Sequence, residues 1–329
     1  MKFYIRFFSN TKLMKHNDFS RHYDFLFELI QYAEEYGYYG ISVPERHFHP
    51  VGGLFPSPSV FFASVSRITK KLKLQPGSII IPLHSPVHIA EEWAMIDQLS
   101  KGRVELAFAS GGSINDFIFK PNHYEARHQF MWEGLQTIQN CWNSNEEGFQ
   151  IYPKLYQSKL PIYVTASTSN ETCYEVGKRG FHLLTNIPNN SFDILKERIE
   201  SYQLGLSHEG YSKLDMEISV SLHTFIVEDL YEVEVAAKEA FFYFKDLYIA
   251  SKATFESERE KQLAQKMFFN KYCPDYSLLG TVDTCKRLVD KLESLGVTQI
   301  SAVIDFGITE KLLMKSLDNL TKLMKNYLY

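Results

Sequence analysis

Apolar residues fall along this chain in short runs, each closed by a polar or glycine-rich loop and followed by a stretch with helical spacing. The runs cover residues 2–8, 40–43, 71–83, 104–108, 160–166, 181–185, 216–227 and 299–305. Runs of that length bounded by turn residues read as buried strands. After Ser20, an N-cap residue type, Tyr23, Phe25, Leu26, Leu29, Ile30 and Ala33 recur at the period of a helix. Further helices are predicted over 59–69, 86–99, 124–142, 192–206, 230–250, 283–295 and 309–328, and one runs from the turn at 167–171 to Gly180. Pro86 suits a first helical turn. Residues 149–158 read as an extended excursion, and the pattern weakens over 251–276.

Eight strands alternating with helices, with no long linker, predict one parallel (β/α)8 TIM barrel over residues 1–329, with insertions after strands four and seven. Periodicity alone leaves a doubly wound open sheet available. In both folds ligands bind just past the C-terminal ends of the strands, so the loops at 44–58, 109–122 and 165–171 carry the interest.

Composition narrows the class only a little. The 329 residues carry a net charge of −4, with 45% apolar and 22% charged residues. That gives no electrostatic case for nucleic acid or an anionic membrane as partner. The 25 Phe and 20 Tyr either fill the core or line a pocket for something flat and apolar. Cys141, Cys173, Cys273 and Cys285 form no CxxC pair, which argues against a zinc site or a redox dithiol. The first residues read as a strand, and no apolar run approaches a membrane span. The expected location is cytoplasmic.

The chemistry-bearing residues sit at strand ends. Thr165 to Asn170 lies between an apolar strand and a helix, where backbone N–H groups and small hydroxyls suit a phosphate or simply cap the helix. Gly111-Gly112-Ser113 follows strand four in the same way, but no dinucleotide or P-loop glycine pattern is present. Arg127 stands where it can reach a phosphate, or be solvated. Glu45, Arg46, His47 and His49 crowd one loop. Either Arg46 or His47 donates to a developing negative charge, or Glu45 and Arg46 form a structural ion pair. His-x-His without a third ligand makes a weak metal site. These residues give a phosphate-bearing ligand at a barrel mouth and no reaction.

Several segments carry a resemblance: Pro44-Glu45-Arg46-His47-Phe48-His49, Gly53 to Pro58, Pro82 to Val87, Ala90 to Trp93, Asp97 to Arg103, and Ala109-Ser110-Gly111. The chain resembles the bacterial luciferase-like flavin monooxygenases, most of all the branch found with polyketide and nonribosomal-peptide assembly lines. The match is dense over about 1–190, returns at 279–281 and 303–307, and is weak between.

The resemblance implies a barrel that takes reduced FMN as a diffusible substrate from a separate flavin reductase, adds O2 to it and oxidises an apolar or carrier-protein-bound acyl substrate through a flavin peroxide. It implies a homodimer. It places the flavin ring against a non-proline cis peptide at Gly77-Ser78 and against Ala109 and Ser110, and its phosphate at Arg127 and the turn Ala166, Ser167, Thr168 and Ser169. A mobile lid would fall at 251–276, a stretch that also fits an added surface helix. Luciferase has an essential histidine where this chain has Arg46, so Arg46 and His47 share the catalytic assignment. The branch usually reads Ala-Ser-Gly-Trp-His after strand four. This chain has Gly112 and Ser113 instead, which opens space and leaves Ser113 as the polar group there. A non-catalytic flavin-binding partner subunit and a deazaflavin-dependent oxidoreductase are the alternatives.

Overall fold

The computed structural model describes residues 1–14, 18–143, 150–238, 240–242 and 257–327. Its strands are β1 (Lys2–Arg6), β2 (Gly40–Val43), β3 (Lys73–Ile80), β4 (Leu106–Ala109), β5 (Ile162–Thr165), β6 (His182–Thr185), β7 (Ile218–Val227), β8 (Leu278–Thr281) and β9 (Gln299–Val303). Every pairing is parallel, and β1 through β7 with β9 form a closed ring. The chain is therefore an eight-stranded barrel, and the open-sheet alternative falls away. β8 is a strand that periodicity does not predict. β7 is ten residues long; its first part pairs with β6 and β9, and its outer residues 224–227 pair with β8.

The strands read as continuous apolar runs because both faces are covered. Phe3 and Ile5 of β1 join the layer packed under the helices. Tyr4 instead donates to Glu105 beside β4, and Gln299 of β9 donates to the Tyr163 hydroxyl of β5 at 2.8 Å. Neither pair of strands is adjacent, so these bonds cross the barrel interior.

Around the ring lie α1 (Phe19–Tyr36), α2 (Pro58–Ile68), α3 (Pro86–Ser100), α4 (Pro121–Glu125), α5 (Arg127–Asn143), α6 (Asn170–Lys178) and α7 (Phe192–His208), with later helices Glu258–Tyr272, Val282–Ser294 and Glu310–Lys325. α1 buries Leu26, Leu29, Ile30 and Ala33, the stripe expected from its spacing. The predicted single helix over 124–142 is broken at Ala126, so Arg127 opens α5 rather than lying inside a longer helix. Strand three stops at Ile80, and Ile81–Leu83 is a 3-10 turn. Residues 239 and 243–250 of the helix expected over 230–250 lie outside the described residues; before them comes a π-type turn, Val233–Ala237.

The motif from Asp97 to Arg103 lies before β4, at the barrel end opposite the mouth. Arg103 donates to the carbonyl oxygens of Ser100, Leu72, Ser66 and Thr69 and to the Thr69 hydroxyl, all within 2.8–3.1 Å. Asp97 accepts from the Tyr156 and Gln157 N–H groups and from the Gln157 amide. This part of the family resemblance holds the fold together. No helix among the described residues is long and apolar enough to cross a membrane.

Candidate active site

Glu45 lies two residues past β2 with its side chain buried, and three donors converge on it. Oε2 accepts from the Ile80 N–H at 2.7 Å, while Oε1 accepts from His47 Nε2 at 2.8 Å and His84 Nε2 at 2.6 Å. Burial opposes ionisation of Glu45, but the His47 and His84 bonds with the Ile80 N–H outweigh it and hold the carboxyl below its usual range. The bond to Glu45 raises the His47 imidazole above its ordinary value despite partial burial.

Arg46 turns the other way. Its Nη1 donates to Asp116 Oδ2 at 3.0 Å, and Asp116 Oδ1 accepts from the His47 N–H at 3.0 Å. The alternative of a structural Glu45–Arg46 ion pair is therefore not formed: these adjacent residues point to opposite sides, and each finds a partner elsewhere. Asp116 is delivered by the 3-10 turn Ile114–Phe117, and the Ser113 hydroxyl caps that turn by accepting from the Asn115 N–H at 3.3 Å. Gly111 makes room for it. Its φ is +89°, and a Cβ there would come within 2.7 Å of Phe117 and 2.9 Å of Ile80.

The sector expected to face a flavin ring runs from β3 to β5. The Gly77-Ser78 peptide is cis. Register shifts between Gly77 and Ile79, and Ile80 then pairs with Ala109. The Ser78 and Thr165 hydroxyls lie 2.5 Å apart, spanning β4. Gly77, Ser78, Ala109 and Ser110 therefore stand beside the strand that leads into Ala166.

Arg198 of α7 builds the turn beyond β5. It is buried, and it donates through Nη1 to the Ser167 carbonyl at 2.6 Å and through Nη2 to the Thr168 carbonyl at 3.2 Å. In a trans peptide the N–H points opposite to the C=O. The Thr168 and Ser169 N–H groups are thus turned away from Arg198, and neither has a hydrogen-bond partner among the described residues. Ser169 is the N-cap of α6, its hydroxyl accepting from the Thr172 N–H at 3.2 Å. The hydroxyl thus serves the helix, and the backbone N–H groups at the positive end of the helix dipole could receive an anion.

Arg127 folds back on Tyr124, donating to its carbonyl at 2.7 Å with Cζ 4.3 Å from its ring centroid. Its Nε is buried without a partner. No hydrogen bond joins Arg127 to the turn at 167–169. Of the lid expected over 251–276, residues 251–256 lie outside the described residues, while Glu258–Tyr272 is helical and Tyr272 bonds His223 Nδ1 of β7 at 2.9 Å.

The sequence profile of the luciferase-like monooxygenases matches residues 1–299. The chain belongs to that family. Within it, the chain is 25% identical over 317 residues to the oxygenase component of the flavin-dependent trigonelline monooxygenase of Acinetobacter baylyi (strain ATCC 33305 / BD413 / ADP1), covering 87% of this chain and 84% of that one. The crystal structure of monooxygenase RslO1 from Streptomyces bottropensis superposes with a TM-score of 0.82 over the full length of both chains at 19% identity. An F420-dependent secondary alcohol dehydrogenase, in complex with an F420-acetone adduct, superposes with a TM-score of 0.72 at 16% identity over 94% of this chain and 97% of that one. For this luciferase-like barrel, sequence reasoning missed Asp116 and Arg198 as partners of site residues. Asp116 lies in the strand-four loop already singled out; Arg198 looks like any helix arginine until its burial is known.

Proposed function

We propose that this chain is an FMN-dependent monooxygenase whose mouth binds reduced flavin from a separate reductase and an apolar or carrier-bound substrate. The observation that carries the reading is the turn at Ser167–Ser169, with two backbone N–H groups free at the start of α6 and a buried guanidinium behind them. That arrangement fits a terminal phosphate, and the Arg127 Nε offers a further donor. Gly77, Ser78, Ala109 and Ser110, all small, support a flat ring laid against that sector. Exposed Phe48, Ile114, Ile118 and Phe119 edge the strand-two and strand-four loops and support an apolar substrate.

Reduced flavin, when bound, supplies the electrons and the site at which O2 is activated. The protein's part is to position and to handle protons. Glu45 fixes the His47 ring by accepting its Nε2–H, so Nδ1 takes up a proton when the ring is neutral and gives one when it is protonated. Asp116 holds Arg46 as a fixed cation next to it.

The test is rapid mixing of protein and pre-reduced FMN with oxygenated buffer. Reoxidation clearly slower than for free FMN, with the protection lost in Arg127→Ala, supports the reading. Reoxidation at the free-solution rate sinks it. A deazaflavin enzyme shares the barrel and is separated by the same mixture: it ignores FMN and binds the reduced deazaflavin.

A further inference from the structure

Arg6, the last residue of β1, has no counter-ion. It is 6% exposed. Its Nη2 donates to the Gly77 carbonyl, while Nε and Nη1, which carry three of the five guanidinium N–H bonds, have no partner. Burial lowers its pKa to about 10, with the Arg46 charge adding to the effect, so it stays protonated at neutral pH. A buried charge without an opposite charge is costly unless something bound to the protein supplies one.

The carboxylates of the mouth are already engaged. Glu45 serves His47, His84 and the Ile80 N–H. Asp116 serves Arg46 and the His47 N–H. Asp305 accepts from the Ser9 hydroxyl and from the Phe8 and Ser9 N–H groups. The guanidinium lies over the Phe8 ring, its Cζ 5.0 Å from the centroid, which carries no opposite charge, and the polar groups near it are unfilled in their hydrogen bonding: Ser42, its register partner on β2, and Gln75, beside Ser42 on β3, are both buried with no partner for their side-chain polar atoms. Gly77 is what admits the guanidinium to this position, because a Cβ there would lie 2.7 Å from Nη1 and 2.5 Å from the Ser42 hydroxyl.

We propose that Arg6 is the anion-recognising residue of this mouth, and that the ligand bound beside Gly77 presents a delocalised monoanion of the carboxylate type to its Nε and Nη1. Two sources carry that chemistry: a carboxylate on the organic substrate, and the anionic pyrimidine edge of a reduced flavin ring. The second source rests on the flavin reading above; the first does not.

The experiment compares the wild-type chain with Arg6→Met and Arg6→Lys. Arg6→Met removes the cost of burying a charge with no opposite charge against the loss of one hydrogen bond to the Gly77 carbonyl, so it folds; Arg6→Lys keeps the charge if it does not. Benzoate, a planar monoanion, is titrated while the melting temperature is followed, with chloride as control. Separately, oxidised and reduced FMN are titrated without oxygen. A saturable benzoate stabilisation of the wild type, absent with chloride and lost in Arg6→Met, assigns the site to a substrate carboxylate. A fall of about 10- to 100-fold in the affinity for reduced but not oxidised FMN assigns it to the ring, a charge-assisted hydrogen bond being of that size. Benzoate and reduced-FMN responses unchanged in Arg6→Met overturn the proposal. A wild type that takes benzoate through Arg6 but ignores FMN refutes the flavin reading and leaves this one standing.

Discussion

The Arg198 Nη1 lies 2.6 Å from the Ser167 carbonyl oxygen, a contact between the buried face of α7 and the loop after β5. It turns the following N–H groups outward and puts a positive charge behind them. Arg198→Met should therefore weaken FMN binding about tenfold while leaving riboflavin, which lacks the phosphate, unaffected. Fluorescence quenching titrations of the two flavins check this; an equal loss for both would mean that Arg198 supports only the general fold.

Glu45 and His47 make a pH prediction with a definite sign. His47 is raised in the folded protein, so its contribution to stability is present below its unfolded pKa and is lost as pH rises through the folded value. Glu45 is lowered, so its contribution is present above its unfolded pKa and is lost as pH falls through the folded value. The pair thus contributes between those two limits. In Glu45→Gln the His47 titration followed by NMR should move down, since the bond that raises it loses its charge. No movement would refute the coupling.

Asp116 and Arg46 should be energetically linked. The Asp116 side chain is 1% exposed and that of Arg46 22%, so partial solvent screening moderates the pair. A double-mutant cycle of Asp116→Asn and Arg46→Met, read by urea denaturation, should show about 1 kcal/mol of coupling. Additive effects would show that Asp116 serves the His47 N–H alone.

Arg103 separates fold from function. Arg103→Met leaves four buried carbonyl acceptors short of donors and should cost about 3 kcal/mol of stability. Flavin affinity of the folded fraction should stay unchanged, since the residue sits at the barrel end away from the mouth. A selective loss of flavin binding would contradict that placement.

The barrel was legible because its strands are buried on both faces and its helices on one. Those two conditions write themselves into the order of apolar residues as continuous runs and helical stripes, visible in 40–43 and in Leu26, Leu29, Ile30 and Ala33. The loops that hold the candidate residues were legible for a related reason: segments 45–49, 109–113 and 165–169 interrupt the apolar pattern just past strand ends. The pairing of their side chains was not. Glu45 meets His84 across 39 positions, Arg46 meets Asp116 across 70, and Arg6 meets Gly77 across 71. Local sequence places a residue at a strand end, but which charge neutralises it depends on the closure and stagger of the barrel. So the sequence by itself determined the alternation of eight strands with helices and the loops in which the candidate residues lie. Only the tertiary structure decided that the sheet closes, that Glu45 serves two histidines, that Arg198 holds the Ser167 and Thr168 carbonyls, and that Arg6 is buried without a counter-ion, because burial and long-range contact are properties of the closed chain.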